Sequence, residues 1–262
     1  MKYWYKGVDV MKRAIAFELS GETAFFKKPD VNANVYFTYS HIPKVALLGM
    51  LGAILGHGGY HEQNRSIRAE GETESNVFPE FYEQLQGLHI SIVPHGDRGY
   101  FPRKIQVFNN GVGYASNEAG NNLIVKEQWL EKPHWTIYIL DEGNDEFNQL
   151  SDFLLTHQAV YLPYLGKNDH PANISRVREV MLTEVDQVTR IDSLFQPEDV
   201  QLGGFARGER NMHYYKELLP FGLEAKLNSY VFLEMMHTNR QVKQILQPEN
   251  FFQAEDRCIA FY

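Results

Sequence analysis

An α+β fold is the class that this 262-residue chain predicts. Three observations point to it. Several short segments alternate apolar and polar residues with period two; two others carry helix-start signals; and the two kinds follow one another in an ordered series. At this length one large domain or two small ones can bury a core.

The first strand is RAIAFELSG, in which Ile15, Phe17 and Leu19 alternate with Ala14, Ala16 and Glu18, and Gly21 follows its end. A basic and polar loop, FFKKPDVNANVYFTYSH, comes next. Pro43, favoured in a helix's first turn, then opens an apolar run over 45–55 that predicts a helix. Residues 60–78 are polar and predict an irregular excursion. LHISIV (88–93), KIQVF (104–108) and WTIYIL (135–140) are expected strands, and the intervening NNGVGYASNEAGNN (109–122) is a loop or hairpin tip. A second helix is predicted over 144–157. Asn144 or Asp145 caps it, and Phe147, Leu150, Phe153 and Leu154 share one face. AVYL (159–162) is read as a short strand. Strand, helix, strand, interruption, strand, helix, strand is the βαββαβ plan of a ferredoxin-like domain, expected over 12–175. Beyond it VREVMLTEV, DVQLGGF, MHYYKEL, SYVFLEM and RCIAFY predict a smaller β-rich C-terminal lobe over 176–262.

Charge and cysteine usage bound the function. The formal net charge of −8 argues against nucleic acid, but it is uneven. Residues 1–140 carry 14 Lys and Arg against 14 Asp and Glu, whereas 141–262 carry 11 against 19. A surface for RNA is therefore expected in the first half. The single cysteine, Cys258, excludes an internal disulfide framework and fits a reducing cytoplasm. MKYWYKGVDVMKR lacks an apolar h-region, so no secretory signal is expected. The run over 45–55 is shorter than the roughly 20 residues a bilayer requires.

That run is unusual in placing Gly49 and Gly52 inside it and Gly56 at its end. Each glycine costs about 1 kcal/mol of helix stability relative to alanine, so the backbone there is expected to lie close to something. One partner is the sheet beneath. The other is a phosphodiester backbone meeting glycine amides at the helix start or at the GHGG end. Phosphate-loop patterns fail on spacing, since there is no GxxxxGK[ST] and no GxGxxG after a strand; GMLG matches a KH-type GxxG poorly because its middle residues are apolar.

With these residues in view, AIAFELSGETAFFKKPDVNANVYFTYSHIPKVALLGMLGAILG (14–56) resembles the N-terminal signature of the CRISPR-associated protein five family. There a first strand ends in glycine, a loop carries an aromatic-basic pair, and a TY…P segment leads into a GLLGAILG-like helix. A second segment, QLSDFLLTHQAVYLPYLGKNDHPANIS (149–175), is similar to the family's LG-containing stretch after the second ferredoxin helix. The resemblance implies an RNA-recognition-like ferredoxin fold of the RAMP superfamily, with a thumb hairpin inserted between the second and third sheet strands; residues 94–126 are the thumb candidate. It also implies a subunit of Cascade, the type I CRISPR surveillance complex of antiviral defence. Length and pattern suggest the subtype I-B branch. Such a subunit holds the 5′ handle of the guide RNA and caps the backbone filament. Its expected partners are the backbone subunit of family seven and the large subunit of family eight, with target DNA near its flanking motif as a further candidate. No membrane partner and no cofactor are expected, and the ribonucleoprotein is placed in the cytoplasm.

Residue types agree with that role. Lys27 and Lys28 follow the first strand, and Lys44 opens the glycine helix, where the dipole and free amides favour phosphate. Tyr36, Phe37, Tyr39 and His41 offer faces for splayed bases. Gly49 and Gly52 supply close backbone approach, and Arg98, Arg103 and Lys104 form a basic cluster with Tyr100 and Phe101 near the thumb. Lys167 and Arg176 are weaker candidates. The bland alternative is that these are solvated cations and core aromatics. No RNP1-like stretch occurs, so loops, glycine helix and thumb are the expected contacts rather than a stacking sheet face.

The family's subtype I-C branch cuts precursor guide RNA with a tyrosine beside a lysine and a histidine. Such metal-free cleavage needs a base and a cation. Tyr36 and Tyr39 are present, but no adjacent Lys-His pair exists, and His134 lies two residues beyond Lys132. A non-catalytic subunit is therefore expected, with a metal-independent endoribonuclease as the alternative. His57 and His61 form an HxxxH whose intervening GGY breaks helical facing, so no metal site is expected there. Cys258 is expected to be buried and inert.

Overall fold

The computed structural model describes residues 11–29, 34–71, 73, 77–110, 117, 123–185 and 187–262. In chain order these form β1 (Met11–Ser20), β2 (Thr23–Ala24), α1 (Lys44–Leu55), α2 (Tyr60–Glu70), α3 (Glu80–Leu85), β3 (Ile90–Pro94), β4 (Arg103–Asn110), β5 (Leu123–Glu131), β6 (His134–Leu140), α4 (Asp145–Leu155), β7 (Asn173–Glu184), β8 (Val200–Leu202), β9 (Tyr214–Leu223), β10 (Tyr230–Thr238), β11 (Val242–Ile245), β12 (Phe251–Ala254) and β13 (Arg257–Ala260). The fold is α+β with a mainly antiparallel sheet and few helices.

Alternation in β1 sends Ile15, Phe17 and Leu19 into the main core, where they meet α1, α3 and α4 side chains around Trp135. Ala14 and Ala16, on the other face, belong to a second buried cluster with Tyr138, Leu182, Phe252 and Phe261. Both faces are thus covered, and the small residues mark the second one. The central sheet runs β13-β12-β7-β1-β6-β3. β1 pairs antiparallel with β6 (Ile15 opposite Ile139) and with β7 (Ile15 opposite Glu179), and β3 pairs antiparallel with β6. β9 and β10 form a two-stranded ribbon, β8 and β11 another, and β2-β5-β4 a third small sheet. Position 176 falls inside β7, and the C-terminal strands β12 and β13 extend the central sheet.

Several expectations need correction. Residues 60–70 are helical rather than irregular. α2 is polar along its sequence, so periodicity gives no signal; the Glu62 carboxylate accepts from the Gly59 amide at its start. α3, also unpredicted, follows Pro79 and buries Phe81, Tyr82 and Leu85. AVYL is not a strand. Its amides at Val160 and Tyr161 donate to Ile54 and Ala53 carbonyls, satisfying the last turn of α1, and the strand after α4 is β7 instead. β5 was not anticipated; it pairs with β4 from Asn110 opposite Leu123 to Arg103 opposite Leu130. The hairpin tip expected at 109–122 lies largely outside the described residues. α4 is capped by Asn144, whose side chain accepts from the Phe147 amide at 2.7 Å.

Candidate nucleic-acid interface

The glycine helix shows three kinds of surroundings. On α1, Val45, Leu47, Leu48, Leu51, Ile54 and Leu55 are buried in the main core. Ala46, Gly49 and Ala53, with Gly56 at the cap, stay half-exposed at spacings of three and four residues, and so line one side of the helix. Gly52 lies between these, against α3: a Cβ there would meet Phe81 Cβ at 2.4 Å. The expected partner for close packing was the sheet; it is a second helix. A Cβ at Gly49 would meet Phe81 only at 3.7 Å, an ordinary contact. Gly56 takes φ +89° and ends the helix, its amide donating to Gly52 O at 2.8 Å.

A groove follows the half-exposed side. Two adjoining depressions of about 390 and 840 Å³ share Val45, Ala46, Gly166 and Tyr230. The smaller is bounded by Lys27, Tyr39, Glu127 and Lys167, and the larger by Gly49, Ala53, Gly56, Tyr60, Tyr161 and Tyr164. Gly166, at φ +90°, passes so close to the Phe25 carbonyl that a Cβ would lie 1.9 Å from its oxygen. The two sequence signatures, 14–56 and 149–175, therefore meet on one surface. α1 supplies the floor and the PYLGK turn supplies a wall.

Charge is polarised along this groove. At the smaller depression α1 begins without a side-chain cap and without an acidic residue in its first turn, an arrangement that favours an anion. Lys27 is exposed, with its ammonium 3.8 Å from the centre of the Tyr36 ring. Lys167 lies 3.1 Å from both oxygens of buried Glu127, which also accepts from Trp129 Nε1. The GHGG end is different. Its amides were an expected phosphate site, but Gly58 N donates to Glu80 at 2.6 Å and Gly59 N to Glu62 at 3.0 Å. Carboxylates occupy the place an anion would take.

The remaining sequence candidates divide sharply. Lys44 is in the interior: its ammonium donates to the Tyr262 carbonyl at 3.0 Å and lies over the Phe221 ring. Burial lowers its pKa to about 8, against a smaller opposing effect of Glu142. Tyr39 and His41 are buried as well. His41 Nδ1 accepts from Trp135 Nε1 at 3.2 Å, with its ring edge-on to Phe101 and Tyr215, and burial holds its pKa well below the usual range. These three are core residues, not base platforms or phosphate ligands. Gly52 is likewise closed off by Phe81. Lys28 is drawn to Glu217 at 2.5 Å, which also accepts from the Ser40 amide. Arg103 donates to Ser40 Oγ, and Lys104 sits 3.6 Å from Glu131. Arg98, exposed at φ +53°, pairs with Asp97 in the turn before β4. Arg176 reaches Glu18 across the sheet. Cys258 is buried, its thiol pushed up to about 12 by burial and by Asp192. His57 contacts Glu146 at 3.1 Å.

What sequence reasoning missed are the aromatic walls: Tyr60, Tyr161, Tyr164 and Tyr230, all more than a third exposed. Tyr161 and Tyr164 sit within the second signature, which was the available signal. Tyr230 arrives from β10, far away in sequence.

No family model matches the chain, and no curated protein matches it. Solved structures do. A chain of a CRISPR RNA-guided surveillance complex shares 10% identity at a TM-score of 0.45, covering 87% of this chain and 90% of that one. A CRISPR protein from Archaeoglobus fulgidus shares 12% identity at a TM-score of 0.48, covering 94% and 97%. A Cas protein shares 12% identity at a TM-score of 0.39, covering 88% and 95%. All three are CRISPR proteins. Among the described residues no helix is long and apolar enough to cross a membrane.

Proposed function

We propose that the chain is a non-catalytic, guide-RNA-binding subunit of a type I CRISPR surveillance complex, and that single-stranded RNA of the 5′ handle lies in the groove along α1. The observation that carries this reading is the convergence of the two family-like signatures on that groove. Its small-residue floor admits a backbone closely, exposed Lys27 beside the uncapped start of α1 attracts phosphate, and its tyrosines offer stacking faces. The wider architecture supports the same reading. In the order β7-β1-β6-β3, with α1 after β1 and α4 after β6, the strands follow the arrangement of a ferredoxin-like domain with a hairpin, β4–β5, inserted between its second and third strands. That hairpin is the thumb in this reading, and the family-seven and family-eight subunits, with target DNA near its flanking motif, are the proposed neighbours.

Fluorescence anisotropy with a labelled repeat-derived 5′ handle tests the groove. Gly49→Leu projects a side chain into it, and Lys27→Glu reverses its exposed cation. Each is expected to weaken binding tenfold or more while the variant melts cooperatively. Unchanged affinity in a folded Gly49→Leu protein overturns the placement of RNA there. Incubation of the purified chain with repeat hairpin RNA in EDTA is expected to leave the RNA intact; specific cleavage overturns the non-catalytic assignment.

A further inference from the structure

A second cluster of chemistry-bearing side chains lies on the opposite face of the central sheet from α1. Glu18 follows Ala14 and Ala16 on the outward-alternating side of β1 and stands opposite Thr136 on β6. His134, the first residue of β6, stands opposite Ser20. His95, immediately after β3, donates its amide to the His134 carbonyl at 2.9 Å. Pro94 is paired with Trp135, so His95 and His134 are neighbours across the two strands. Three adjacent strands thus place a carboxylate and two imidazoles on one side of the sheet.

Their side chains have gathered. His134 Nε2 is in direct hydrogen-bond contact with Glu18 Oε2. The His95 and His134 rings stack with centroids 4.5 Å apart. One ligand atom from each of the three lies within 4.8 Å of the others. We propose that Glu18, His95 and His134 form a binding site for a divalent transition-metal ion of the zinc type, with further coordination positions left to water.

Donor chemistry selects the ion. Two imidazoles and one carboxylate suit Zn²⁺, Co²⁺, Ni²⁺ or Cu²⁺, whereas Mg²⁺ and Ca²⁺ require mostly oxygen ligands. Outer contacts orient the ligands as well. Thr136 Oγ1 lies 2.6 Å from His95 Nε2, and Arg176 donates to Glu18 Oε1 at 3.2 Å, leaving the other oxygen toward the histidines. Arg176 is placed there by a bulge in β7, between the Ala16 and Glu18 pairings, at φ +52°. Its cation opposes metal binding, so the site is one of moderate affinity. Because the ligands hang on rigid strands, binding also ties β1, β6 and the end of β3 together.

The test uses the full chain, stripped with EDTA, dialysed and titrated with ZnCl₂ by calorimetry and with CoCl₂ by visible absorption. One equivalent is expected to bind, with Co²⁺ giving the d–d bands of nitrogen and oxygen coordination and Zn²⁺ raising the melting temperature. Glu18→Gln and His134→Gln should each weaken Zn²⁺ at least about tenfold, while His57→Gln with His61→Gln leaves it unchanged. Absence of a stoichiometric Co²⁺ spectrum in the wild-type protein overturns the proposal without requiring any variant to fold. So does binding that survives His95→Gln with His134→Gln, or that disappears with the His57 and His61 pair.

Discussion

Gly52→Ala adds one methyl group to the contact between α1 and α3, and the structure sets the size of the effect. The new Cβ would lie 2.4 Å from Phe81 Cβ and 3.3 Å from its Cα. Carbon atoms rest near 3.5–4.0 Å apart, so one helix must retreat by about 1 Å. Retreat is resisted, because α3 is held at two points: Glu80 accepts from the Gly58 amide, and Tyr82 Oη accepts from the Leu223 amide at 3.0 Å. Overpacking of this kind costs about 1–3 kcal/mol. Replacing glycine by alanine within a helix returns about 1 kcal/mol. The net expectation is a loss of up to about 2 kcal/mol, or a fall in melting temperature of up to roughly 8 °C for a chain of this size. Gly49→Ala is the control, since its Cβ meets Phe81 at an ordinary 3.7 Å and only the propensity gain remains. It should be as stable as the wild type or up to about 1 kcal/mol more stable. Urea unfolding followed by circular dichroism and by tryptophan fluorescence compares the three proteins. Both variants share the propensity gain, so Gly52→Ala should be about 1–3 kcal/mol less stable than Gly49→Ala; if the two are equally stable, the assignment of the two glycines to different surroundings is wrong.

Other outcomes follow from the charges. In salt titrations of RNA binding, Lys27→Ala should reduce the slope of log affinity against log salt by about 0.7, the amount for one phosphate on a single strand; an unchanged slope removes Lys27 from the contact. Burial and the neighbouring Glu198 and Glu249 raise Asp199 to about 6. The folded state therefore binds the extra proton, and stability falls as pH rises from 4 to 6. Asp199→Asn should add up to roughly 3 kcal/mol at pH 7 and nothing below pH 4, read from urea midpoints. Lys44 has the reverse sign. Its folded pKa of about 8 lies below the unfolded value of 10.5, so the unfolded chain holds more protons between them and stability rises with pH in that window. Subtracting the Lys44→Met curve from the wild-type curve should isolate a rise of up to about 3 kcal/mol; a flat difference refutes a strongly buried ammonium.

The parts of the fold readable from sequence are those whose local pattern and tertiary surroundings agree. β1 alternates because one face meets the helical core, and α4 carries both its cap, Asn144, and its apolar stripe. α2 lacked a signal because a polar surface helix has no stripe to read. AVYL looked like a strand by composition, yet Val160 and Tyr161 direct their amides to the end of α1. Site residues fared worse for a physical reason: exposure is set by what returns from elsewhere in the chain. Lys44 opens a helix and reads as solvated until Tyr262 and Phe221 close over it. Tyr39 and His41 sit near exposed Phe37 yet are buried, and around His41 it is Tyr215 of β9 and Trp135 that close in.

The three glycines of α1 show the same division within one element. Gly52 is small because α3 presses on it, and Gly56 because the helix ends there in a left-handed turn beside Val160. Gly49 has neither reason. It continues the line of Ala46 and Ala53 on the side where no protein element covers the helix fully, and its added Cβ would clash with nothing. A helix could carry alanine or a larger residue there with a gain in stability. Its absence is the feature that packing leaves unexplained, and in the proposed function a ligand backbone running along the groove is the constraint that accounts for it. The paired alanine variants separate a proposed binding role at Gly49 from a packing role at Gly52: the first should alter RNA affinity more than stability, the second stability more than affinity.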